Sequence, residues 1–374
     1  MSKESDFTLH EYSVRIRKTD KLKDIKLLLF GLYGEVGSIL TTAKKHKRDG
    51  MAFHYQRAIT EELGDAFWYL ARISDELGYR LDELIPASFE TKETTTLFPT
   101  DHPDGPIAHL TTFPNPKFRT ALRNLGESAA NVLTCQTKSK QNKKMLKTFF
   151  SAYLKTVRAS KIGFSEILRY NLKKTEGRFL KPKLKILKSF DKHFSKDEQI
   201  PAKFKIEISE RSNGKSYLKW HNVFIGDPLT DNIKDPDGYR FHDVFHMANA
   251  AILNWSPTFR SLIKHKRKSD PKADEIQDGG RAIVIEEGLT AWIFSIAKES
   301  NFFKGQDRLS FDVLKNIQQF ISGYEVEKCP LKLWERAILD GYKVFRKMKK
   351  NKGGIIIGNR KKRTISYKPL RKMI

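Results

Sequence analysis

The stretch FGLYGEVGSIL, Phe30 to Leu40, sets a carboxylate beside what reads as the buried face of a helix. Leu29, Leu32, Tyr33, Val36 and Leu40 recur at intervals of three and four, the period of an amphipathic helix, and are expected to face a core. Glu35 stands at the side of that stripe, with Gly34 before it and Gly37 shortly after. An unpaired carboxylate is costly to bury, so Glu35 either points to water or is compensated.

One helix later, ITEELGDAFWYLARI (Ile59 to Ile73) offers the compensation. Glu62 and Asp65 are three apart and share one helix face, and Glu61 adds a third carboxylate. Phe67, Tyr69 and Leu70 are expected to pack inward. Antiparallel packing of the two helices brings Glu35, Glu62 and Asp65 together. Carboxylates so close repel and raise one another's pKa unless a cation neutralises them. Hard oxygen ligands completed by water and phosphate describe a Mg²⁺ site, with Mn²⁺ as a substitute. The plainer reading is a set of surface acids at helical spacing.

The rest of the chain bounds these readings. Its 374 residues suffice for two or three domains with proper cores, and 39% hydrophobic residues mark it as globular. No run approaches ~18 apolar residues, so no membrane span is expected. The polar start MSKESDFTLHEYS gives no signal-peptide pattern. Cys135 and Cys329 stand far apart without metal-type spacing, which fits a reducing cytoplasm.

The formal charge of +26 is unevenly placed. Residues 1–99 carry 15 basic and 16 acidic side chains, whereas residues 138–196 carry 18 and 3. From Gly341 onward there are 13 basic residues and no acidic one. Such surfaces attract phosphates, as free nucleotide or nucleic acid, or serve only to keep a chain soluble.

Along the chain, helical periodicity covers residues 8–92, and a Pro/Gly/Thr-rich stretch, Thr94 to Pro116, contains the expected linker 100–116. Helix is expected again from Phe118 to about Phe194. FKIEIS and SYLKWHNVFIG, joined by Arg-Ser-Asn-Gly, read as a β-hairpin, and GGIIIGNRKKRTISY as a second one. The expected fold is mainly α. An all-α module at 1–99 and a lysine-rich helical module at 117–196 precede an α+β domain at 197–374.

GLYGEVGS followed by EELGDAFWYL resembles the MazG family of all-α nucleoside triphosphate pyrophosphohydrolases. The resemblance covers about residues 8–92. It implies a metal-holding set of Glu35, Glu62 and Asp65, with Glu35 and Glu62 catalytic, and Glu61 is a further candidate metal ligand beside them. It also implies hydrolysis of an NTP or dNTP to NMP and pyrophosphate. Ser38 stands where the family has a second glutamate in its first motif, which places one metal position in question.

The family's closing N-x-x-K-x-x-x-R pattern is expected far downstream, at Asn171, Lys174 and Arg178, to bind phosphate, with Lys174 and Arg178 as the cations for the triphosphate. LRNLGESAANVL, where Glu127 echoes Glu35, and KTFFSAYLKTVRASKIG then read as a degenerate second copy lacking the acidic motif. Such a copy can stand in for a homodimer partner, and homo-oligomers remain open.

In the last third, DGYRFHDVFHMANAAILNW sets His242 and His246 one helical turn apart with Asp243 adjacent. GGRAIVIEEGLTAWIFSIA sets Glu286 and Glu287 in an apolar helix. Histidines at this spacing with carboxylates suit a second metal, or they are hydrogen-bonded core residues. The His-Asp pair is similar to HD-type phosphohydrolases, whose further His and Asp are not evident. Asp278 is a candidate partner for a histidine, and Lys266, Arg267 and Arg281 for an anionic ligand. Residues 200–370 resemble the domain found C-terminal to MazG modules in longer bacterial proteins.

Three functions are thus in play. The first is a Mg²⁺-dependent nucleotide pyrophosphohydrolase. The second is a MazG-like scaffold that binds nucleic acid or senses nucleotides. The third places the chemistry at His242 and Glu287.

Overall fold

The computed structural model describes residues 8–22, 24–50, 54–86, 117–184 and 187–370. It divides into two compact units, Met1–Leu180 and Lys181–Ile374. The expected linker 100–116 lies outside the described residues.

The first unit is helical. Its elements are α1 (Leu9–Arg17), α2 (Ile25–Asp49), α3 (Tyr55–Glu76), α4 (Phe118–Val132), α5 (Lys140–Ala159) and α6 (Phe164–Phe179). Thr8 starts α1 with a capping box, its hydroxyl accepting from the Glu11 amide while the Glu11 side chain returns to the Thr8 amide. The helices share one core running from Leu9 to Leu172. At its centre the Phe67 ring lies 5.1–5.6 Å from the rings of Tyr12, Phe150, Tyr153 and Phe164. Aromatic contacts from three other helices, α1, α5 and α6, therefore fix α3 two residues past Asp65.

Glycine sets the closest helix approaches. A Cβ at Gly31 of α2 would overlap the Tyr69 ring, and one at Gly64 of α3 would come within 3.0 Å of the Asn171 Cβ on α6. Larger side chains at these positions would hold the helices apart.

The structure corrects the reading of α2. Leu28, Leu29, Leu32, Val36 and Ile39 are buried, whereas Tyr33 and Leu40 are 48% and 37% exposed. At 100° per residue the buried stripe is centred toward Leu28 and Ile39. That rotation turns Tyr33 and Leu40 outward and carries Glu35 to the edge of the core. Tyr69, expected inside, is half-buried over Gly31. By length and composition α2 is long and apolar enough to cross a membrane, but here its buried stripe belongs to the bundle core.

Residues 117–180 do not stand apart as a domain, because α4 to α6 complete the same core as α1 to α3. The unit boundary also falls at 180/181 and not at 196/197. Helix ends at Phe179 and does not run on to Phe194. Leu187 and Phe190 instead pack against the core of the second unit, and Asp191 pairs there with Arg260 and Arg360 at 2.7 and 2.6 Å.

The second unit joins a sheet to helices. Its strands are β1 (Lys203–Glu210), β2 (Ser216–Trp220), β3 (Val223–Leu229), β4 (Gly353–Asn359) and β5 (Thr364–Lys368). They form one antiparallel sheet in the order β3-β2-β1-β4-β5, so both expected hairpins meet through β1 and β4. SYLKWHNVFIG is two strands, because His221 and Asn222 both take positive φ (50° and 65°) and turn the chain between Trp220 and Val223. Two consecutive left-handed residues make the tight turn favoured in hairpins. The helices are α7 (Asp243–Ala248), running into a π-helical turn at Asn249–Leu253, then α8 (Pro257–Leu262), α9 (Gly280–Glu299), α10 (Phe311–Phe320) and α11 (Leu331–Asn351).

Asp231 closes the loop from β3 to α7. Its carboxylate accepts from the Gly238 and Arg240 amides at 3.1 and 2.8 Å and from the Arg240 guanidinium at 2.9 and 3.0 Å. Burial alone would raise its pKa, but these donors outweigh burial and hold it at about 2. A depressed carboxyl pKa contributes stability above the unfolded value, and that contribution is lost as pH falls through the folded value. Asp231→Asn should therefore cost about 2 kcal/mol at pH 7. In urea unfolding, the gap to the parent chain should close as pH drops from about 4 toward 2. An equal gap at pH 7 and pH 3 would contradict this account.

Candidate metal centres

Three carboxylates meet at the first centre. Each of Glu35 on α2 and Glu62 and Asp65 on α3 offers an oxygen, and these lie within 4.8 Å of one another. Burial raises the Glu35 carboxyl to about 8, helped by Asp65, Glu62 and a hydrogen bond with Glu62, and opposed by Lys174. Glu61 is buried on the same stretch of α3.

Helix α6 supplies the counterweight. Lys174 Nζ pairs with Asp65 and, at 3.0 Å, with Glu61, its side chain only 13% exposed. Burial disfavours its charge, but Asp65 and Glu61 outweigh that and raise its pKa. Asn171 donates from Nδ2 to Asp65 Oδ1 at 3.0 Å and accepts at Oδ1 from the Tyr12 hydroxyl at 2.9 Å. Both residues, expected to hold a triphosphate, here face the carboxylates. Arg178, one turn on, is half-buried with its guanidinium 5.2 Å from the Phe179 ring centre. Ser38 lies one turn after Glu35 and is half-buried. A cleft of about 510 Å³ lies elsewhere, between α4 and α5, where Glu127 shares its walls with Lys144, Lys147 and Lys155.

The second centre lies in the C-terminal unit. His242, which begins α7, His246 one turn later and Glu287 on α9 bring ligand atoms within 4.8 Å of one another. His246 Nε2 is 3.1 Å and Nδ1 3.2 Å from Glu287 Oε1 and Glu286 Oε1, and His242 Nε2 is 3.6 Å from Glu287 Oε2. Glu286 is fully buried. It accepts from Asn249 Nδ2, the Ser256 hydroxyl and the Thr258 amide, each at 3.0 Å. Asp243 is buried beside the histidines, and burial raises its carboxyl pKa.

The sequence reading missed Asn249 and Tyr239. Asn249 was within reach, since His242, His246 and Asn249 follow an i, i+4, i+7 stripe. The Tyr239 contribution is a backbone carbonyl, which accepts from His242 Nδ1 at 2.9 Å and leaves no side-chain signal.

Other expectations are corrected here. Arg267 is buried between Asp278 and Glu325, both at 2.8 Å, so it offers nothing to an anionic ligand. The same pair takes Asp278 away from the histidines. Arg281 is exposed at the start of α9, more than one turn from Glu286. The basic tail is partly internal. Arg360 binds Asp191, and Arg363 donates to the carbonyls of Ile252 and Lys188 at 2.6 and 2.9 Å.

The MazG C-terminal domain family matches residues 185–371, which spans half of the chain. The chain belongs to the MazG C-terminal domain family. It is thus a MazG-type protein carrying that domain, and its mainly α fold with a small sheet in the second half accords with the reading of the sequence. No curated protein and no solved structure matches it. The family match covers the second centre, while the carboxylate centre stands in the segment that precedes it.

Lys174 provides a test of the first centre. Removing one partner of a buried ion pair leaves the other charge uncompensated, at about 3–5 kcal/mol. Lys174→Met should lower stability at pH 7 by about that amount in denaturant unfolding. Added Mg²⁺ should restore part of the loss. Unchanged stability would mean that Lys174 is not the counterion of this cluster.

Proposed function

We propose that this MazG-type protein is a divalent-cation-dependent nucleotide pyrophosphohydrolase. It cleaves an NTP or dNTP between the α- and β-phosphates to give NMP and pyrophosphate. The observation that carries this reading is the meeting of Glu35, Glu62 and Asp65 from two adjacent helices. The donor set fits the group: three carboxylates supply hard oxygens of the kind Mg²⁺ and Mn²⁺ take, with room in their shells for water and phosphate. The raised pKa of Glu35 is consistent with the fit: burial first, and then the nearby Asp65 and Glu62, disfavour its charge without a cation.

A cation bound there neutralises phosphate oxygens and lowers the pKa of a coordinated water. The chain's own residues set the geometry. Glu35 and Glu62 reach the space from different helices, so the α2–α3 spacing fixes the site's width. Lys174 and Asn171 pin Asp65 from the third side. Lys174 also keeps the cluster from spreading before substrate arrives. Glu35, whose pKa is raised by burial and by its acidic neighbours, would have to be ionised to hold the cation.

A second reading rests on Ser38. A hydroxyl there, in place of a second carboxylate, favours a MazG-like scaffold that senses nucleotides without turning them over. Two variants separate the readings. Glu62→Gln should reduce pyrophosphate release from an NTP and dNTP panel by at least about 100-fold while leaving the helical circular dichroism unchanged, because the charge lost belongs to the cation's electrostatic support. Ser38→Glu should lower the Mg²⁺ concentration required for half-maximal rate. Equal turnover by Glu62→Gln at saturating Mg²⁺ would refute the enzyme reading, as would a parent chain that binds nucleotide but releases no pyrophosphate.

A further inference from the structure

We propose that the C-terminal unit carries a separate transition-metal site. Its protein ligands are His242 Nε2, His246 Nε2 and Glu287, and it keeps at least one coordination position open to solvent. This inference is independent of the activity assigned to the first unit.

The spacing is that of a coordination shell. With metal–ligand bonds of about 2.1 Å, neighbouring ligand atoms lie roughly 3.0 Å apart at right angles and about 3.4 Å apart at tetrahedral angles. Of the distances from Glu287, the one to His246, 3.1 Å, falls within that range, and the one to His242, 3.6 Å, lies just above it.

His246 carries the second observation. Its side chain is fully buried, and both ring nitrogens face carboxylate oxygens, Nδ1 at 3.2 Å from Glu286 and Nε2 at 3.1 Å from Glu287. Two carboxylates facing one buried imidazole leave negative charge that calls for a cation. An ion on the ring-nitrogen axis, with the carboxylate oxygen to its side, is such a cation.

The surroundings orient the ligands as metal-binding histidines require. The His242 Nδ1–H donates to the Tyr239 carbonyl, which leaves Nε2 with its lone pair toward Glu287. The Tyr239 ring stacks on His242 at 4.4 Å and 11°, fixing the ring plane. Glu286, held by Asn249, Ser256 and Thr258, faces the other nitrogen of His246 as an outer carboxylate. The π-helical turn that begins at Asn249 falls at this point, and such turns recur at functional sites.

Two imidazoles and a carboxylate select a first-row ion of the Zn²⁺, Fe²⁺ or Mn²⁺ kind, unlike the all-oxygen first centre. Three protein ligands leave a position for water or a substrate atom, as in catalytic sites. Glu287, 37% exposed, places that opening toward solvent. The rival account is a metal-free imidazolium at His246 held between Glu286 and Glu287.

The full chain, stripped with a chelator and kept in excess Mg²⁺ to occupy the first centre, is titrated with Co²⁺ and with Zn²⁺. The expected result is one tightly held Zn²⁺ per chain by elemental analysis. Co²⁺ should show visible absorption of a low-coordinate, nitrogen-ligated ion. His246→Ala threatens the fold because His246 is wholly buried, so His242→Ala and Glu287→Gln, at the rim, carry the test. Each should weaken Co²⁺ binding by more than about 100-fold, beyond the 10–100-fold typical of outer partners, with unchanged circular dichroism. Glu62→Gln should leave it unaltered. No retained ion, parent-like binding by both rim variants, or loss of the ion in Glu62→Gln would each overturn the proposal.

Discussion

The arrangement of the first unit depends on one electrostatic constraint: four carboxylates, Glu35, Glu61, Glu62 and Asp65, crowd one region with the Lys174 ammonium beside them. At an effective dielectric near 20, two like charges 4 Å apart repel by about 4 kcal/mol, so this cluster would push α2 and α3 apart if nothing opposed it. The aromatic core around Phe67 and the glycine contacts at Gly31 and Gly64 hold the helices in place from the apolar side. Lys174 and Asn171 hold the acids from the polar side. The helix bearing them comes from the segment that read as a second copy, which explains why the first unit cannot end near residue 99.

The second unit answers a similar problem with different residues. Asp191 lies between Arg260 and Arg360, and Arg267 lies between Asp278 and Glu325, all of the arginines buried. Removing any one member would strand its partner's charge, the costly event for a buried pair. These residues join the 187–191 segment, α8 and the turn after β4 into one body. Basic residues that looked available to phosphates are therefore committed to the interior.

Much of this was legible, and the failures have identifiable causes. The acidic spacing in Glu62 and Asp65, and the histidine spacing in His242 and His246, marked the residues that share a helix face. Partners between distant helices were harder, because periodicity gives a face but no azimuth. Tyr33 and Leu40 were assigned to the core for that reason, when the stripe is turned toward Leu28. Asn171 and Lys174 were found as a pattern but aimed at a phosphate. Only the position of α6 against Gly64 turns them to Asp65. Tyr239 holds His242 with its carbonyl as well as its ring, and backbone groups leave no trace in residue types.

The pairing of β1 with β4 has a consequence for how the second unit is made. Lys203 lies opposite Asn359 and Ser209 opposite Gly353, so the two central strands are separated by almost the whole unit. Contacts between residues so remote along the chain close slowly, because a long loop must be ordered before any pairing offsets its entropy. Until β4 emerges from the ribosome, β1 has one free edge and Asp191 lacks its Arg360. The His242 and Glu287 segments, although synthesised earlier, must wait for that strand before their surroundings are complete. Chain growth thus orders assembly, with the carboxylate centre able to form first and the histidine centre last.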